Sequence, residues 1–296
     1  MYDIIIIGAG PAGLSAAIYG ARAMKKVLVL DGNNYGGQII NSSMVENYPG
    51  VLSTDGFNFV TTLYNQAKNF GAEFISQNVQ EMLDNNTVKT SKDVYRGKVI
   101  IIATGLKQRK LGLYGEKELL GKGISYCATC DGNFYKDKCV AVIGSGATAL
   151  EDALYLSNIA KHVIIINRGL NFKSDELMKK NVEEKKNIEI IYEKSIMRLN
   201  GEEKLESITL NDDTTLNVDG LFIAIGYMPD NKIFKNFVDI DENGFIISDD
   251  TKTKTKNIFV AGDTRRKQVR QLITATSDGA ISATNAVNYL NNLWLF

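Results

Sequence analysis

The strongest constraint on this chain is a punctuation that it uses twice. Tyr2–Ile7 is a short β-branched run that ends in Gly8-Ala-Gly10-Pro-Ala-Gly13, followed by a helical stretch over Leu14–Met24 and a second apolar run, Val27–Leu30, closed by Asp31. Much later, Cys139–Ile143 runs into Gly144-Ser-Gly146-Ala-Thr-Ala149, followed by a helical stretch over Leu150–Asn158 and the strand Val163–Ile166. Each unit reads strand, glycine turn, helix, strand, which is the opening of a dinucleotide-binding fold. Each copy also closes alike, Val99–Ile102 into Ala103-Thr104-Gly105 and Leu221–Ile223 into Ala224-Ile225-Gly226. A chain of 296 residues has room for two such domains, and the repeat is too long for a solenoid. The fold class expected is α/β, with two Rossmann-like, three-layer domains.

The first motif has a specific physics. Gly8 permits the tight turn, Gly10 lets a pyrophosphate approach the backbone, and Gly13 lets the helix pack close to the strand. The phosphates would sit on the amides of the helix N-terminus. Asp31, at the end of the second strand, either holds ribose hydroxyls or caps the turn before Gly32.

Composition narrows the function. The 34 Lys and Arg balance 34 Asp and Glu, which removes the electrostatic case for non-specific nucleic-acid binding. No apolar run approaches the ~18–20 residues of a membrane helix, and the opening lacks the positive segment of a signal peptide. Three cysteines in so long a chain make no disulfide framework, and a cytoplasmic setting fits them. The single histidine, His162, leaves few options for an imidazole acid or base.

Two of the cysteines stand in Ser125-Tyr-Cys127-Ala-Thr-Cys130-Asp131-Gly132. At C-x-x-C spacing two thiols can close a disulfide and lower the pKa of one of them. The alternative is half of a zinc site, for which only Cys139 and His162 remain as further ligands, and neither supplies paired spacing. No metal is expected. Cys139 reads as a strand residue of the core, His162 as a strand-edge residue.

With these segments in view the sequence resembles the low-molecular-weight thioredoxin reductases. The likeness runs from residue 1 to about residue 290. It is carried by the first glycine motif, Gly36-Gly37-Gln38, Glu46-Asn47-Tyr48-Pro49-Gly50, Ile101-Ile-Ala-Thr-Gly105, the Cys127–Gly132 segment, Ala153–Ala160, and Ala261-Gly262-Asp263 with Arg270-Gln271. The resemblance implies a homodimeric flavoprotein in which residues 1–110 and 239–296 build an FAD domain and residues 111–238 form an inserted nicotinamide-type domain. It makes Leu111–Lys117 and Val238–Gly244 candidate hinges. Mapped onto this sequence, the family's flavin contacts fall on Gly8, Gly10, Pro11, Ala12, Gly13 and Asp31, on Gly37, Gln38 and Asn47, on Val79, on Ala103, Thr104 and Gly105, and on Gly262, Asp263, Arg270, Gln271 and Leu272.

By the same mapping Cys130 is the thiol nearer the flavin, Cys127 the one that attacks thioredoxin, and Asp131 the proton donor and acceptor. An aspartate does that work near neutral pH only if partial burial raises its pKa; its other reading is a helix or turn cap. The helix expected over Ala275–Tyr289 would point its N-terminus at the flavin. Its early small residues are also plain packing. The aromatic end, Trp294-Leu-Phe296, would pack at the dimer surface or cover the flavin.

The second nucleotide site departs from the family pattern. Where ordinary members carry His-Arg-Arg-x-x-x-Arg to grip the 2′-phosphate of NADPH, this chain reads Asn167-Arg168-Gly169-Leu-Asn-Phe-Lys173. Asn167 stands where Asp31 stands in the first copy, so no carboxylate holds a ribose diol. The turn residues Gly144, Gly146 and Ala147 survive, and Arg168 and Lys173 could pair with a phosphate, though lysine lacks the bidentate fork of arginine. Two donors therefore remain open, NADPH bound weakly, or reduced ferredoxin, which relatives without these motifs use. A ferredoxin near about −400 mV can reduce a thioredoxin near about −270 mV with roughly 6 kcal/mol to spare. The function expected is thioredoxin reductase, with another small disulfide protein as an alternative substrate. A ferredoxin–NADP reductase of similar fold would lack the C-x-x-C. A non-enzymatic flavin- or zinc-binding regulator would show no dithiol turnover.

Overall fold

The computed structural model describes residues 1–32, 35–42 and 44–292. The aromatic end Trp294–Phe296 lies outside the described residues. Two compact units emerge, one from Met1–Lys107 with Met228–Phe296 and one from Gln108–Tyr227.

The first unit opens with β1 (Tyr2–Ile7), α1 (Pro11–Arg22) and β2 (Val27–Leu30), and continues through α2 (Gly56–Asn69), β3 (Glu73–Ile75), β4 (Val79–Asp84), β5 (Thr87–Thr90) and β6 (Val94–Ile102). A short strand, β7 (Lys107–Gln108), carries the first crossing. The second unit holds β8 (Ile124–Ser125), α3 (Ala128–Asp131), β9 (Cys139–Ile143), α4 (Ala147–Ser157), β10 (His162–Asn167), α5 (Glu176–Glu183), β11 (Ile188–Tyr192), the strands β12 (Ile196–Asn200), β13 (Ser207–Leu210) and β14 (Thr215–Asn217), and β15 (Gly220–Ile223). After β16 (Tyr227–Met228) the chain returns to the first unit for β17 (Ile258–Val260) and α6 (Leu272–Asn292).

Each unit is built on a parallel sheet. In the first the order is β3-β2-β1-β6, with β17 also parallel on the C-terminal part of β6 and β5-β4 antiparallel on its N-terminal part. In the second the order β11-β10-β9-β15-β8 is parallel throughout. Strands buried on both faces read as unbroken apolar runs, which is why Ile4-Ile-Ile-Ile7 and Val140–Ile143 show no polar alternation.

The two faces bury different partners. Ile4, Ile6, Val27, Val29, Val99 and Ile101 pack with α1, α2 and α6, while Ile5, Ile7, Leu28, Leu30, Ile100 and Ile102 pack with Met82, Phe234 and Ile246. The second unit repeats the plan. Val140, Val142, Val163 and Ile165 pack with α4 and α5, and Ala141, Ile143, Ile164 and Ile166 pack with the antiparallel strands β12–β14. Both units are thus α/β layers with helices on one face and β-strands on the other.

Three elements differ in extent from the sequence reading. α1 begins at Pro11, ahead of the apolar period that starts at Leu14, because a proline in the first turn gives up no needed N–H donor. α4 likewise begins at Ala147, and α6 runs from Leu272 to Asn292. The second crossing falls at 227/228, earlier than the 238/239 expected, because Phe234 and Val238 are buried in the core of the first unit. Among the described residues no helix is long and apolar enough to cross a membrane.

Candidate functional site

In the first unit the residues expected around a dinucleotide gather at the C-terminal ends of β1, β2, β6 and β17, where ligands bind in open α/β sheets. Gly8 has φ +108°, and a Cβ there would lie 2.3 Å from the carbonyl oxygen of Ala103. A Cβ on Gly13 would lie 1.8 Å from the carbonyl oxygen of Gly8. Gly37 faces Gly10 so closely that a Cβ on it would be 3.1 Å from the Gly10 Cα. Gly262 abuts Ala12, whose Cβ would be 2.8 Å from one added there. Pro11 and Ala12 form the first turn of α1, behind an N-cap glycine without a side-chain cap.

The polar residues tie these ends together. Asp31 Oδ2 accepts from the Ala9 N–H at 2.7 Å, so the carboxylate reaches back to the glycine turn. Gln38 Nε2 donates to the Leu106 carbonyl at 2.6 Å, and Asn47 Nδ2 to Gln271 Oε1 at 3.3 Å. Thr104 meets the hydroxyl of Thr264 at 3.1 Å, and Gly105 adopts φ +61°. Arg270 Nε donates to the Asp263 carbonyl at 3.4 Å and stacks over Phe245. Val79 is half-buried at the start of β4, and Leu272 opens α6.

These residues fit a dinucleotide. The glycine cradle is closed to side chains, the α1 N-terminus carries no acidic residue in its first turn, and Asp263 Oδ1 is buried without a hydrogen-bond donor, though Lys267 Nζ lies 3.3 Å away.

Sequence reasoning missed the ion cluster beside Asp263. Asp278, on α6, accepts from Arg265 Nε and Nη2 at 2.8 and 2.7 Å, from Lys267 Nζ at 3.1 Å and from the Gly262 N–H at 3.0 Å. Burial alone would raise the Asp278 carboxyl, but the Arg265 and Lys267 contacts outweigh it and hold the group below the usual carboxylate range. Nothing in the local pattern marks these residues, which meet only when α6 packs on the turn that carries Asp263.

In the second unit Gly144 makes the same close approach as Gly8, since a Cβ would lie 2.3 Å from the Ala224 carbonyl oxygen. Gly146 caps α4 with no side-chain cap and no acidic residue in the first turn, and Ala147 is exposed. Asn167 turns inward. It is fully buried, Oδ1 accepts from the Gly169 N–H at 2.9 Å, and Nδ2 has no partner. The Lys173 N–H donates to the Ser145 carbonyl at 2.7 Å, which holds the 168–173 segment against the glycine turn. The side chains of Arg168 and Lys173 are exposed and make no ion pair among the described residues.

The same unit carries the cysteine pair. Cys127 and Cys130 form a disulfide across α3, with Cys127 as N-cap and half-buried and Cys130 exposed. Four residues of helix are all that C-x-x-C spacing needs to bring the Cα atoms to 5.3 Å. Asp131 ends α3, half-buried, and its Oδ2 accepts from the Ser125 hydroxyl at 2.6 Å. The next residue, Tyr126, donates its hydroxyl to Glu116, whose buried carboxylate also accepts from the Leu111 and Gly112 amides at 3.1 and 2.7 Å. Neither Ser125 nor Glu116 is visible as functional in the sequence.

Cys139 is half-buried at the start of β9, opposite His162 on β10, and burial followed by the charges of Asp219 and Glu189 pushes its thiol up. His162 pairs with Glu189 at 3.1 Å. Among the described residues no group of three or more His, Cys, Asp or Glu side chains is placed to hold a metal ion.

Two dinucleotide-type units and a disulfide on a short helix define a disulfide oxidoreductase. The chain belongs to the pyridine nucleotide-disulphide oxidoreductase family, whose sequence profile matches residues 2–279. It is 38% identical to a thioredoxin reductase of Bacillus subtilis over 303 residues, which cover 99% of this chain and 96% of that protein. Among solved structures it is similar to Lactococcus lactis thioredoxin reductase, with a TM-score of 0.87 and 34% identity over 99% of this chain and all of that one. It is also similar to a ferredoxin-flavin thioredoxin reductase of Clostridium acetobutylicum, with a TM-score of 0.55 and 30% identity over 100% and 99% of the two chains.

Proposed function

We propose that this protein is an FAD-dependent thioredoxin reductase, and that the Cys127–Cys130 disulfide beside Asp131 carries the activity. The cofactor is FAD, held in the crevice of the first unit by Gly8, Gly10, Gly13, Asp31, Asp263 and the neighbours described above. Bound FAD supplies the two-electron link between the donor and the cysteine pair. Once the pair is reduced, the Cys127 thiolate attacks the thioredoxin disulfide and forms a mixed disulfide, and the departing thiolate takes a proton from Asp131. Cys130 then attacks Cys127, which restores the disulfide and releases the second thioredoxin thiolate. Asp131 and the half-buried Cys127 sit on either side of one helical turn, which suits this division of work. We also propose a homodimer in the cytoplasm.

Serine at position 130 should abolish turnover and leave FAD bound. Retained disulfide reductase activity in Cys130→Ser would remove the assignment.

For the electron donor the family default is NADPH on the second unit, whose glycine turn and open α4 N-terminus remain. A second reading is reduced ferredoxin. It is favoured by Asn167, which is fully buried with its side-chain oxygen held by the Gly169 N–H and which offers neither a carboxylate for a ribose nor a cation for a 2′-phosphate. Anaerobic addition of NADPH separates the two. Rapid bleaching of the flavin band assigns the nicotinamide, and bleaching by reduced ferredoxin alone assigns the other.

A further inference from the structure

We propose that Ser125 is a positioning residue that serves Asp131 in both of its protonation states; the inference rests on the reading of Asp131 as the proton donor and acceptor. Ser125 ends β8, is 3% exposed, and presents one hydroxyl to three groups of the redox segment. Its Oγ lies 2.6 Å from Asp131 Oδ2 and 3.2 Å from the Cys127 carbonyl oxygen, and it accepts the Cys127 N–H at 3.0 Å.

A hydroxyl has one hydrogen and two lone pairs, so its arrangement must follow the carboxyl. When Asp131 is ionised, the Ser125 O–H donates to Oδ2 and the oxygen accepts from the Cys127 N–H. When Asp131 holds a proton, the carboxyl O–H donates to Ser125 Oγ. The Ser125 hydrogen then rotates onto the Cys127 carbonyl. No donor or acceptor is orphaned in either state, so moving the proton does not expose an unpaired buried group.

In the exchange itself the bond between Cys127 Sγ and the partner sulfur forms as the partner S–S bond breaks. The departing thiolate takes the Asp131 proton and becomes a thiol, and Asp131 is left ionised with Ser125 donating to it. A poor leaving thiolate needs this proton, and a strongly acidic thiol does not.

The test uses that difference. Holoenzyme reduced with dithionite and desalted without oxygen is mixed in a stopped-flow instrument with a bacterial thioredoxin disulfide or with 5,5′-dithiobis(2-nitrobenzoate), whose thiolate leaves unprotonated. Ser125→Ala should slow oxidation by thioredoxin by about tenfold and leave the dithiobenzoate rate nearly unchanged, and Ser125→Thr, which keeps the hydroxyl, should recover the thioredoxin rate. Adding Ser125→Ala to Asp131→Asn should cost little more than Asp131→Asn alone. Equal slowing of both oxidants, or a threonine variant as slow as the alanine one, makes Ser125 a merely structural residue and overturns the proposal. A full thioredoxin rate in Asp131→Asn removes the acid itself, whatever Ser125 does.

Discussion

Arg265 and Asp278 meet in a bidentate ion pair, with Nε and Nη2 of the guanidinium 2.8 and 2.7 Å from the two carboxylate oxygens. The pair ties α6 to the turn that carries Asp263, and the Asp278 side chain is almost wholly buried. Removing one partner of a buried pair leaves the other charge uncompensated, here the Arg265 guanidinium, while Lys267, which shares the carboxylate, keeps only Asp263 at 3.3 Å.

Asp278→Asn should therefore lower the stability of the protein by about 3 kcal/mol near neutral pH, read by urea unfolding. The folded Asp278 carboxyl is held below its ordinary pKa, so its contribution is present above the unfolded value and is lost as pH falls through the folded one. The gap between the two proteins should close in acid. A gap that stays constant down to the acid limit would show that the charge is not what matters.

Gly13→Ala should cost about 3 kcal/mol and weaken FAD retention, because the new Cβ would drive into the Gly8 carbonyl at 1.8 Å. Gly146→Ala is the internal contrast. A Cβ there meets nothing within 4 Å, and the cost should stay within about 1 kcal/mol. Equal losses at the two sites, measured by unfolding and by the flavin absorbance after gel filtration, would contradict the close-packing argument.

Asp152, on α4, is raised by burial, and secondarily by the charge of Glu151, to about 7. Its folded pKa lies above the unfolded one, so its contribution is fully present below the unfolded pKa and is lost as pH rises toward about 7. Asp152→Asn should stabilise the protein at pH 8 by roughly 2 kcal/mol, about half the full linkage value, and by nothing near pH 4. Thermal unfolding across that range checks the sign. A benefit that grows in acid would place the carboxylate in a different environment.

Much of this molecule was legible in its residues. Ile4–Ile7 and Cys139–Ile143 are strands because both faces are covered, and an unbroken apolar run between glycines has few other uses. Gly8 and Gly144 mark turns that no side chain can enter, so the motif carries its own geometry. α1 and α4 start ahead of their apolar periods, since the small residues Pro11-Ala-Gly13 and Ala147-Thr-Ala149 carry little hydrophobic period. The segment from Met228 to Val238, expected in the inserted half of the chain, groups with the first unit for a related reason. Phe234 and Val238 look like any apolar pair until the core they fill is known.

The sequence by itself determined the doubled strand, glycine turn and helix, the parallel sheets and the cysteine pair. All of these are set by spacing within a few residues, and local sterics and burial decide such spacing. Only the tertiary structure decided that Asn167 turns its side-chain oxygen onto its own turn, that Asp278 gathers Arg265 and Lys267, and that the Ser125 hydroxyl stands between Cys127 and Asp131. Those relationships depend on where side chains point once strands and helices have packed. A hydrogen bond fixed to a few tenths of an ångström leaves no period in the sequence that could announce it.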